Sequence, residues 1–175
     1  PEPLWDPIIT STIFLAANVV VIFMILLERT TFQMSEDEKR LFAGFDTLTP
    51  GEFRRLLKLA EWHDSEGGEV LTEAGKQPER LYYVLDGDVL IEKDGTTFPV
   101  SDGRFIGEIG YVLGEAATGT VRAPEGTRYV SWKVGDLTRL SHRKPAIGIA
   151  LSALLGEDLA RKLASSVHAS AVATT

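Results

Sequence analysis

The chain has 175 residues, no cysteine, 18 Lys and Arg against 25 Asp and Glu, and a net charge of −7. Without cysteine there is no disulfide, thiolate metal site or thiol nucleophile, and the acidic balance argues against a nucleic-acid partner, which needs a basic face. At about 150 residues per domain the length suits one domain plus an attachment.

Residues 7–27, PIITSTIFLAANVVVIFMILL, carry no charge. At about 1.5 Å per residue a helix of this length crosses about 30 Å, the hydrocarbon thickness of a bilayer. Only Thr10, Ser11, Thr12 and Asn18 are polar, so the run is apolar on every side, where a core helix would show a stripe. A secretory signal is shorter and opens on a basic region, whereas Glu2 and Asp6 stand here. The reading is one transmembrane helix inside a membrane and juxtamembrane segment, residues 1–34, with Trp5 at the interface. No Lys or Arg precedes the run, while Arg29, Lys39 and Arg40 follow it. Positive charge marks the cytoplasmic side, which places the carboxyl-terminal part in the cytoplasm. The chain opens on Pro1 rather than Met, which leaves room for earlier spans.

A helical connector is expected over residues 35–60. Ser35-Glu36-Asp37-Glu38 and Thr49-Pro50-Gly51-Glu52 both have the capping-box pattern, the second with Pro at the first helical position. Phe53, Leu56, Leu57 and Ala60 fall at i, i+3, i+4 and i+7, one buried face. From residue 61 to 134 the apolar period changes to two, with turn signals at Ala74-Gly75, Asp86-Gly87-Asp88, Lys93-Asp94-Gly95 and Ser101-Asp102-Gly103. Short strands with turns every ~8–12 residues indicate an antiparallel β-barrel or sandwich. The period breaks at FIGEIGYVLGEAA, residues 105–117, which reads as an inserted short helix. Two closing helices are expected within residues 135–164, with Ile147, Leu151, Leu154 and Leu155 as an apolar stripe and Arg161 and Lys162 near the end of the second. Residues 165–175 read as a frayed tail.

The order helix, strands with one inserted turn, then two helices, resembles cyclic nucleotide-binding domains. Gly68-Glu69-Val70, Gly75, Leu81-Tyr82, Leu85-Asp86-Gly87-Asp88-Val89, Gly103 and Phe105-Ile106-Gly107-Glu108-Ile109 fall where that family has its glycines, strand residues and phosphate-binding cassette. The resemblance covers residues 41–163 and implies a double-stranded β-helix barrel with flanking helices. A span followed by such a domain is similar to bacterial Popeye-domain-like membrane proteins.

Gly107 permits close backbone approach, and a helix starting at Glu108 presents free N–H groups to an anion. The resemblance implies that Glu108 accepts a hydrogen bond from a ribose 2′-hydroxyl. It also places Phe105, Gly107, Glu108, Ile109, Ala117, Thr118 and Thr120 at the ligand, with the hydroxyls of Thr118 and Thr120 as donors. One departure stands out: Ala117 occupies the position of the family's phosphate-binding arginine. Arg122 lies an odd number of strand positions away, on the opposite face, so Arg104 and Arg80 are the candidates to reach the pocket instead. His63, His142 and His168 are scattered and give no metal-ligand spacing.

No G-x-S-x-G, P-loop or paired acid–base constellation appears, so the chain reads as no enzyme and as needing no cofactor. The chain after His142 is too short to add a helix-turn-helix to the closing helix, which disfavours a transcription factor. A single span without pore loop or arginine-rich helix disfavours an ion channel. The expected function is a membrane-anchored, cytoplasm-facing sensor of cAMP or cGMP, acting through a homodimer or a membrane-protein partner. The alternative is a degenerate, non-binding barrel serving as a tethered scaffold or dimerisation unit, which the loss of the arginine at Ala117 favours.

Overall fold

A computed structural model describes residues 5–29, 31 and 34–172, with side-chain surroundings for 5–26, 31 and 34–162. Helix α1, Trp5–Arg29, carries the apolar run, and its stretch Trp5–Leu26 is long and apolar enough to cross a membrane. None of that stretch is buried against the rest of the protein. Thr10, Thr12 and Asn18 return their side-chain hydrogens to carbonyls one turn back, which hides their polarity.

Both capping boxes form. In α2, Glu36–Phe42, Ser35 Oγ accepts from the Glu38 amide while the Glu38 carboxylate accepts from the Ser35 amide. In α3, Pro50–Leu57, Thr49 and Glu52 do the same. Such caps satisfy donors that a helix start otherwise leaves open, typically about 1 kcal/mol each. Phe53 and Leu56 are buried, and the indole Nε1 of Trp132 donates to Leu56 O at 3.0 Å, fastening the connector to the sheet.

Among the described residues eight strands form two four-stranded antiparallel sheets. One has the order β1 (Glu61–Asp64), β8 (Arg128–Lys133), β3 (Arg80–Asp86), β6 (Phe105–Ile106). The other runs β2 (Glu69–Thr72), β7 (Thr120–Ala123), β4 (Asp88–Lys93), β5 (Thr96–Ser101). Among the described residues no strand joins the two sheets by hydrogen bonds, so "barrel" describes the fold only loosely. The fold is a pair of antiparallel sheets with flanking helices.

Strand alternation sorts the core into two layers. Leu81, Tyr83 and Leu85 of β3 join Val130 and Trp132 of β8 against the helices. Val84 and Tyr129 face the other sheet with Val89, Val121 and Ile106. Burial raises the phenol of Tyr83 above its ordinary value near 10, and the charges of Asp102 and Asp158 add to the effect. The folded state therefore holds this proton more tightly than the unfolded chain does. Its stabilisation is complete below about pH 10 and is lost as pH rises through the raised folded value. Tyr83→Phe should lose less stability than the native chain between pH 9 and pH 11 in denaturant melts; equal losses would refute this linkage.

Helix α4, Glu108–Leu113, interrupts the strands, and α5, Val134–Arg143, and α6, Pro145–Val172, close the domain. Ile147, Leu151, Leu154 and Leu155 are all buried, as their spacing requires. One expectation is corrected. Helix α6 runs on to Val172 through the stretch read as a frayed tail, whose Ala169 and Ala171 are strong helix formers. Leu113 is 55% exposed, where α4 ends against Gly114 in a left-handed conformation.

Candidate functional site

Between the second sheet, the segment around α4 and helix α6 lies a cavity of about 610 Å³, within the range of small-ligand sites. Ile91, Phe98, Val100, Ile106 and Val121 give it apolar walls, and Pro78 and Leu159 extend them. Its polar side chains are Thr72, Lys93, Arg104, Glu108, Thr118 and Lys162.

Of the residues expected at the ligand, Gly107, Glu108, Ile109, Ala117 and Thr118 line the cavity. Phe105 and Thr120 are not in its lining. Strand alternation turns Phe105 into the aromatic core, with Tyr83 at 4.9 Å and Phe45 at 5.3 Å between ring centroids. The Thr120 hydroxyl instead accepts from the Ala74 amide at 3.2 Å. Ala117 is pinned by backbone bonds to both sides of the Gly75-Lys76 turn, each 2.9 Å. This holds Ala117 in the cavity lining.

Gly107 has φ +87°, and a Cβ there would lie 2.6 Å from Arg80 O. A Cβ at Gly110 would meet Pro78 at 2.6 Å. These glycines let α4 press on the 78–80 segment; the close approach they permit is to this chain's own Arg80 carbonyl and Pro78 ring.

Glu108 is buried, 6% exposed, and its carboxylate accepts from Lys162 Nζ at 2.8 Å. The same ammonium donates to Phe105 O at 2.5 Å and lies 3.0 Å from Asp158 Oδ2. Asp158, buried one turn earlier on α6, also pairs with Arg104 at 3.6 Å. Two carboxylates and two cations thus alternate beside the cavity, and they tie α6 to the 104–108 segment. The sequence reading placed Lys162 at a helix end and missed this role. The available signal was the spacing Leu155, Asp158, Leu159, Lys162, which puts all four on one helical face.

Arg80 does not line this cavity. It donates to Ser131 Oγ at 2.6 Å and pairs with Glu61 at 2.7 Å. His63 bonds the same Ser131 oxygen and stacks on Tyr129. Ser65 donates to the carboxylate of Glu69, which holds that carboxyl below its usual range. The side chain of His168 lies outside the described residues.

Sheet order, inserted helix and closing helices are those of the cyclic nucleotide-binding domain fold. Residues 63–144 match the family model for the Cyclic nucleotide-binding domain. A protein of Rhodopseudomonas palustris, provisionally named a potassium channel protein, is 28% identical over 68% of the chain. The chain spans 30% of that relative's length. The structure of a provisionally named cyclic nucleotide-binding protein from Geobacter metallireducens superposes with a TM-score of 0.63 at 21% identity, covering 74% of this chain and 99% of that one. The regulatory subunit of a cAMP-independent protein kinase A from Trypanosoma cruzi, solved bound to guanosine, gives 0.52 at 18% identity, over 65% and 44% of the two chains.

Proposed function

We propose that this chain is a membrane-anchored, cytoplasm-facing nucleotide sensor of the Popeye-like type, whose ligand is cAMP or cGMP. The observation that carries the reading is Glu108. A carboxylate buried at a cavity wall and held by Lys162 is an acceptor poised for a sugar hydroxyl. The amides of residues 107–109 and the hydroxyl of Thr118 supply donors, and the apolar wall from Ile91 to Val100 suits a base. Ligand contacts at Glu108 would be felt by α6 through Lys162, which gives the domain a route to a partner or to a second copy of the chain.

The full chain in detergent, titrated calorimetrically with cAMP and with cGMP, tests this. Saturable heat that weakens at least about tenfold in Glu108→Ala supports it, since a charge-assisted hydrogen bond contributes about 1.5–3 kcal/mol. No heat at millimolar ligand overturns it and leaves the tethered scaffold that Ala117 favours. Sedimentation with membranes after carbonate washing tests the anchor. Similarity to the R. palustris protein supports a second reading, in which the chain is the regulatory end of a larger membrane protein.

A further inference from the structure

The family's cassette arginine is replaced by Ala117, so an anionic ligand needs its cation from elsewhere. Three cationic side chains line the cavity: Lys93, Arg104 and Lys162. Lys162 is committed, its ammonium shared among Glu108, Asp158 and the Phe105 carbonyl. Lys93 stands at the exposed end of β4, on a long flexible stem.

Arg104 differs from both. Its backbone is fixed to β3, because the Val84 amide donates to Arg104 O at 3.0 Å and Gly103 donates to Val84 O at 2.8 Å. It is two positions from Ile106, so both side chains face the cavity while Phe105 between them faces the core. Its side chain is 40% exposed, and its ion pair with Asp158 is long at 3.6 Å. Asp158 keeps Lys162 at 3.0 Å if Arg104 turns away, so the move strands no buried charge. A guanidinium fork matches two phosphate oxygens at once, which an ammonium does not.

We infer that Arg104 is the phosphate-binding cation of this cavity, taking from the β6 side the role that Ala117 cannot fill. This rests on the nucleotide-site reading above, and it assigns the ligand class: a nucleoside carrying an anionic phosphate, in preference to the bare nucleoside.

Calorimetry on the full chain in detergent, comparing cAMP with adenosine and cGMP with guanosine, tests it. The native chain should bind the phosphorylated member of a pair at least about tenfold more tightly. Arg104→Gln should weaken that member roughly ten- to hundredfold while leaving the bare nucleoside unchanged, a selectivity that a general loss of structure cannot produce. Arg104→Lys should recover part of the loss, and adding Ala117→Arg to Arg104→Gln should recover most of it. Equal affinity within each pair, or an Arg104→Gln chain that keeps the phosphate preference, overturns the inference and leaves the nucleotide-site reading standing. If the native chain binds nothing but Ala117→Arg binds cAMP, Arg104 is again excluded and the cavity survives as an incomplete site. If no ligand binds to either chain, both readings fall.

Discussion

Phe45→Ala should lower the free energy of unfolding by about 3–5 kcal/mol, the range for truncating a large aromatic in a packed core. Phe45 is wholly buried, yet it comes from the short turn between α2 and α3 rather than from the sheets. Its ring meets Phe53, Tyr83, Phe105 and Trp132 at centroid distances of 5.2, 5.6, 5.3 and 5.7 Å. Edge and tilted pairs of this kind contribute about 0.5–1.5 kcal/mol beyond area burial. Four of them converge on one ring, and the surrounding strands and helices cannot collapse into the space it would leave. Guanidinium titration of the detergent-solubilised chain, followed by circular dichroism, measures the loss. A value below about 1.5 kcal/mol would mean that the connector rests on the sheet without being keyed into it. The site is involved as well, because Phe105 lies on the reverse of the strand that carries Arg104 and Ile106. A void under Phe105 should loosen that cavity wall and weaken cAMP together with stability.

The parts of this molecule that were legible in the sequence are those set by local chemistry. Ser35 and Thr49 announce their helices because a cap needs only residues three positions apart. The two-residue period from Trp62 to Trp132 announces strands, and the same rule, carried one step further, separates Phe105 from its neighbours. A family likeness marks a whole segment as ligand-proximal, whereas the pleat admits only alternate residues, so Arg104 and Ile106 reach the cavity and Phe105 does not. Gly107 was legible as a special backbone position, but the sequence does not say which surface it approaches, here Arg80 and Pro78. Lys162 is the clearest case of information held outside the local sequence. Its helix register is readable, but the direction it faces depends on how α6 docks. That docking is set at the far end, where Ile147 is buried and Gly148 lies so close to Ser141 that a Cβ would come within 2.9 Å of the serine Cβ.

Lys162→Met should destabilise the chain by about 2–4 kcal/mol, and Glu108→Gln added to it should return more than half of that loss. The reason is the asymmetry of buried charge. Removing one partner of a hydrogen-bonded pair strands the other, which costs several kcal/mol, whereas neutralising both costs little. Glu108 and Asp158 have side chains only 7% and 8% exposed, and Lys162 lies between them. Without the ammonium, two carboxylates share a poorly solvated corner with only the distant Arg104 in compensation. A double-mutant cycle on denaturation free energies isolates the Glu108–Lys162 term, expected at about 1–3 kcal/mol for groups in direct contact. Losses that simply add would show that Leu151, Leu154 and Leu155 hold α6 by packing alone, and that the ion pair sits on a helix already docked. A coupling of the expected size shows that the Glu108–Lys162 pair helps hold the closing helix, so the ligand contact proposed at Glu108 would change how firmly α6 is held.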